Sequence, residues 1–84
     1  MQPAKVTKLD LQTWLVDALK AHGGKATIVE LCQHVWTQHE DELKSSGDLF
    51  YTWQYDIRWA ATKLRQKGIL AAADAAPKGT WILK

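Results

Sequence analysis

Thr27 stands three residues before Glu30, and behind this pair Ile28, Leu31, Cys32, Val35 and Trp36 recur at i, i+3, i+4, i+7 and i+8. A T-x-x-E pair satisfies two free N–H groups at a helix start reciprocally. The spacing behind it gathers the apolar side chains on one helical face. A helix with one apolar face draws most of its stability from packing against other elements. Those partners must come from a chain of 84 residues, which has room for a single domain. A domain of this size buries only about 60% of its extended-chain surface. Its core must therefore be well filled, and five Trp residues supply large rings for the purpose.

The flanking segments offer those partners. Thr7 and Asp10 form a weaker version of the same capping pair, and Leu11, Trp14, Leu15, Ala18 and Leu19 follow at helical spacing. His22-Gly23-Gly24 ends this first helix. Residues 1–6 read as a flexible N-terminal tail and residues 7–84 as one domain. Lys25-Ala26 reads as a short extended link. The second helix runs to about His39, and Glu40-Asp41-Glu42-Leu43-Lys44 either prolongs it or makes a separate turn. After Ser45-Ser46-Gly47, a third helix starts at Asp48, or alternatively at Thr52. Phe50, Trp53, Ile57, Ala60, Ala61 and Leu64 line its apolar face. Gly68 stops it. Ile69-Leu70-Ala71 reads as a strand, Asp74 to Gly79 as a turn, and Thr80-Trp81-Ile82-Leu83 as the returning strand. The expected fold is α+β and mainly helical. It is a winged helix-turn-helix, with three helices followed by a two-stranded β-hairpin wing.

Several classes are not expected. The longest uninterrupted apolar run, Ile69 to Ala73, is far short of a membrane span. The N-terminal basic residues are not followed by an apolar stretch, so no secretory signal is expected. Cys32 is the single cysteine; it excludes an intrachain disulfide and fits a reducing cytoplasm. Cys32 and His34 are two apart on a helix and point away from each other, and His22 and His39 complete no ligand set, so no metal is expected. No nucleophile–base pair, glycine-rich phosphate loop or paired-carboxylate site stands out. The reading is a cytoplasmic protein that is not an enzyme, with no cofactor and no small-molecule substrate.

Charge is unevenly distributed. The chain carries a formal +2, but residues 1–48 carry a net −2 and residues 49–84 a net +4. On a wheel of about 100° per residue, the apolar face of the third helix centres near Trp53, Ile57 and Leu64. The opposite face holds Tyr51, Tyr55, Arg58, Trp59, Thr62, Arg65 and Gln66. On charge alone this is a solvated helix face. Within the expected fold it suits a major groove, where Arg bridges guanine, Gln reads adenine and Thr touches a thymine methyl. Lys78, between Pro77 and Gly79, offers a cation at the wing tip for phosphate or the minor groove. Trp59 is expected either to pack beneath the first helix or hairpin, or to be a partly exposed ring.

The stretch from Tyr55 to Leu70, followed by Lys78-Gly79-Thr80-Trp81-Ile82-Leu83, resembles the N-terminal winged-helix domain of Mrr-type restriction proteins. The matching features are Trp59-Ala60, Leu64, Gly68-Ile69-Leu70, and Gly79 with Trp81 and Ile82. Gly24-Lys25-Ala26-Thr27 with Glu30 fits the start of the second helix of that module. The likeness spans most of residues 9–83. It implies DNA recognition. The modified-base preference of that family stays open. With the chain ending at Lys84, no nuclease sequence follows, and cleavage is not carried over.

The expected function is therefore non-enzymatic binding of double-stranded DNA, in a regulatory or restriction-related accessory role. Its contacts are Tyr51, Tyr55, Arg58, Thr62, Arg65 and Gln66 on the third helix and Lys78 on the wing. Few cations mean few phosphate contacts, so a homodimer or a protein partner is the expected route to useful affinity. The alternative is a protein–protein interaction adaptor that uses the winged-helix surface. A subunit contributing to a partner's active site is a third reading.

Overall fold

Two reciprocal hydrogen bonds start the central helix, α2 (Ile28–Lys44). The Thr27 N–H donates to Glu30 Oε1 at 2.9 Å, and the Glu30 N–H donates to Thr27 Oγ1 at 3.1 Å. The computed structural model describes residues 6–84, and for Ala73 the backbone only. Residues 1–5 of the expected tail lie outside the described residues. Val6, also assigned to that tail, packs against the core.

Helix α1 spans Asp10–Ala21 and α3 spans Leu49–Gln66. The capping pair expected before α1 is only half formed. Asp10 Oδ2 accepts from the Thr7 N–H at 3.0 Å, but the Asp10 N–H is taken by the Thr7 carbonyl. The Thr7 hydroxyl accepts from the Leu9 N–H instead. At its other end α1 closes in a Schellman arrangement. The Gly24 N–H reaches the Leu19 carbonyl at 2.7 Å and the Gly23 N–H reaches Lys20 at 3.2 Å. This geometry needs a left-handed residue, which Gly23 supplies at φ 78°.

α2 continues beyond His39, so the acidic run prolongs the helix, but across a kink. His39 adopts φ −130° and ψ 21°. Its ring stacks on Trp14 of α1, with centroids 3.8 Å apart and planes 5° from parallel, and its Nδ1 meets Glu42 Oε1 at 2.7 Å. Beyond the kink Leu43 is fully buried. Asp48 occupies the position before α3 as expected, yet its side chain makes no capping bond.

The β-structure differs from the expected hairpin. Lys25-Ala26, read as a link, is part of strand β1 (Lys25–Thr27). β1 pairs antiparallel with β2 (Thr80–Ile82) in the register Lys25↔Ile82, Ala26↔Trp81 and Thr27↔Thr80. The strand expected at Ile69-Leu70-Ala71 shrinks to one bridge, Leu70↔Leu83, flanked by bonds from Ala71 N–H to Ile82 O and from Lys84 N–H to Ile69 O, both 2.9 Å. The cause is local. The Ile69 and Leu70 N–H groups both close back on the Leu64 carbonyl at the end of α3. The alanines that follow, poor strand formers, turn into a short 3₁₀ segment at Ala73–Ala75. The fold is mainly helical with a two-stranded antiparallel sheet.

One core joins these elements. Leu11, Leu15 and Leu19 of α1, Leu31 and Val35 of α2, and Ile57 of α3 are fully buried. Trp81 of β2 seals the sheet side at 6% exposure. Two backbone bonds tie the last strand to the helices: Leu83 N–H to Gly24 O at 2.7 Å, and Ile28 N–H to Gly79 O at 2.8 Å. The second satisfies one of the free donors at the start of α2.

Thr27→Ala removes half of the capping box and is expected to lower unfolding free energy by about 1 kcal/mol, read as a fall in the urea midpoint. Bonds from the Thr27 backbone and then its hydroxyl hold the Glu30 carboxyl below its ordinary pKa. Its contribution is therefore complete above the unfolded value and lost as the pH falls through the folded one. The gap in urea midpoint between the wild type and Glu30→Gln is expected to narrow on acidification from about pH 6 to about pH 3.

Candidate functional site

Burial of Trp53, Ile57, Ala60, Ala61 and Leu64 turns the opposite face of α3 outward. That face carries Tyr51, Tyr55, Arg58, Thr62 and Gln66, all exposed, with Arg65 half-buried beside them. The stripe runs about 22 Å along the helix at 1.5 Å per residue. Tyr51 and Tyr55 are 83% and 77% exposed, which is unusual for aromatic rings in a small domain.

Two concavities meet on this stripe. The first lies between the C-terminal half of α3 and the turn that leads into β2. Arg58, Thr62 and Arg65 form one wall and Pro77, Lys78 and Gly79 the other. This cleft brings together four of the expected contacts, Arg58, Thr62, Arg65 and Lys78. The ion pairs among the described residues, His39–Glu42 and Lys44–Glu40, leave all three of these cations out. Thr62 donates its hydroxyl to the Arg58 carbonyl at 3.2 Å, which keeps its lone pairs free to accept.

The second concavity is a groove of about 750 Å³ between the first halves of α2 and α3. Cys32, Trp36, Phe50 and Trp53 form its floor, and Gln33, Gln54, Tyr55 and Arg58 its rim. The Trp36 and Trp53 rings lie nearly parallel, 10° apart with centroids 6.1 Å apart, and Phe50 tilts against Trp36 at 6.3 Å. Arg58 belongs to both concavities. Of the remaining expected contacts, Tyr55 joins Arg58 at the groove. Tyr51 packs edge-on against Phe50 at 5.0 Å, and neither Tyr51 nor Gln66 lines either concavity.

Periodicity alone did not reveal the groove. It assigned Cys32 and Trp36 to the core stripe of α2 and Phe50 to that of α3, whereas all three are only half-buried. The available signal was Val29, a large apolar residue off the stripe, which is 66% exposed at the groove edge. Trp59 falls between its two expected places. It packs half-buried against the core, with the ammonium of Lys8 4.6 Å above its ring and that of Lys63 at 5.8 Å.

Among the described residues, no cluster of His, Cys, Asp or Glu could hold a metal. His22 and His34 meet edge to face at 5.6 Å without a third ligand. Among the described residues, no helix is long and apolar enough to cross a membrane. Burial pushes the Cys32 thiol above its ordinary pKa, and the charge of Arg58 opposes the shift. A thiol reacts as its thiolate. Cys32 is therefore expected to react with a disulfide reagent at neutral pH more slowly than free cysteine. Arg58→Ala, by removing the opposing charge, is expected to slow it further; intact-mass kinetics check both. No protein-family model matches this chain, and no curated protein or solved structure is significantly similar to it.

Proposed function

We propose that this chain is a winged-helix module that binds double-stranded DNA without catalysing a reaction, in a regulatory or restriction-related accessory role. The observation that carries the reading is the convergence of Arg58, Arg65 and Lys78, none of them in an ion pair, on one cleft beside the exposed face of α3. A major groove about 12 Å wide admits a helix such as α3. Thr62 then faces base edges, and Arg58, Arg65 and Lys78 reach phosphates from the two walls of the cleft. The element order supports the winged-helix assignment. A strand stands between the first two helices, and the last strand is flanked by that strand on one side and by Leu70 on the other. The Mrr-like stretch around Trp59-Ala60 and Gly68-Ile69-Leu70 agrees with it.

With so few cations, binding is modest and its salt dependence shallow. Arg58→Ala, Arg65→Ala and Lys78→Ala are each expected to weaken binding of a labelled duplex. Each is also expected to flatten the plot of log affinity against log salt by about 0.9 for every phosphate contact removed. Fluorescence anisotropy over a salt series, with circular dichroism to verify folding, checks this. A duplex that fails to bind at low salt, or affinity unchanged in all three variants, overturns the proposal. The exposed Val29, Tyr51 and Tyr55 favour a second reading, a winged-helix adaptor for a protein partner or a second copy. That reading predicts a mass that rises with protein concentration in the absence of DNA.

A further inference from the structure

The groove between α2 and α3 is not needed for phosphate contacts, yet it opens beside the same exposed face of α3. We infer that it receives one unstacked nucleobase of the DNA bound along that helix, an inference that rests on the DNA-binding reading. Three observations support this occupant. The floor is aromatic, with the half-buried Trp36 and Phe50 against the buried Trp53. Aromatic floors hold bases by stacking, whatever the sequence. The rim pairs the carboxamides of Gln33 and Gln54 with the guanidinium of Arg58, and no carboxylate lines the groove. Carboxamides donate and accept at once, as the edge of a base requires. The guanidinium suits the phosphate of the same nucleotide, and a carboxylate would repel it.

The position of Arg58 adds a fourth point. It lines both the groove and the cationic cleft, so a strand held by Arg58 passes the mouth of the groove. DNA lying on α3 faces this apolar concavity. Backbone phosphates cannot stack on its aromatic floor, and a base ring can. A protein helix would also cover the floor, and the exposed Val29 and Tyr55 at the edge would suit it; the two carboxamides and the guanidinium of the rim favour a base.

Extruding a paired base costs stacking and pairing, and a base that is already unpaired avoids most of that cost. The test compares two labelled duplexes of identical sequence, one fully paired and one with a single bulged adenine, by anisotropy at low salt. In parallel, alkylation of Cys32, on the groove floor, reports occupancy. The bulged duplex is expected to bind at least about fivefold tighter, the lower end for one base–aromatic stack, and to protect Cys32. Gln33→Ala and Gln54→Ala change exposed side chains that the fold does not need. Both are expected to reduce that preference while leaving affinity for the paired duplex unchanged.

Equal affinity for the two duplexes, with Cys32 equally reactive in both complexes, overturns the inference and leaves the DNA-binding reading standing. Failure of both duplexes to bind overturns the two together. Protection of Cys32 that grows with protein concentration and without DNA assigns the groove to a second copy and overturns the inference as well.

Discussion

The fold depends on the pairing of Ala26 with Trp81. Ala26 lies in a three-residue strand between the first two helices, and Trp81 lies three residues from the end of the chain. A small residue opposite a large one lets the indole lie over the sheet and seal the core. Both are buried. A two-stranded ribbon is marginal by itself, so the sheet holds because Trp81 packs against the helical core. The same contact closes the chain on itself and fixes where the turn before β2 sits relative to α3.

The helices were legible because their signals are local. The capping pair of Thr27 and Glu30 and the stripe from Ile28 to Trp36 are set within a few residues of each other; the structure reproduces the pair and the helix, and of the stripe buries Leu31 and Val35 fully. The strands were not legible in the same way. Lys25-Ala26-Thr27 is too short to show alternation, and its partner lies more than fifty residues away. The pairing energy that makes it a strand is therefore non-local. At Ile69-Leu70 the apolar run was real, but both N–H groups close back on the Leu64 carbonyl, and the alanines that follow leave the strand for a 3₁₀ segment.

The same division holds for the candidate site. The exposed stripe on α3 follows from its period, except at Trp59, which lies opposite Ile57 and still packs half-buried against the core. That Lys78 stands across a cleft from Arg58 does not follow from any local pattern; it is a consequence of β2 returning beside β1. The aromatic groove was hidden for a related reason. Periodicity tells which face of a helix is apolar, but not whether a neighbouring helix covers the whole of it. α2 and α3 leave Trp36 and Phe50 half covered.

The bond from the Ile28 N–H to the Gly79 carbonyl has a mechanical meaning. It fastens the turn that carries Lys78 to the first residue of α2, so the cation sits on a braced arm. A braced arm loses little freedom when it meets a partner, which favours association. It also adapts poorly. On the DNA-binding reading proposed above, an arm of fixed reach would discriminate by the spacing of what it touches, with this turn as a gauge of distance from α3.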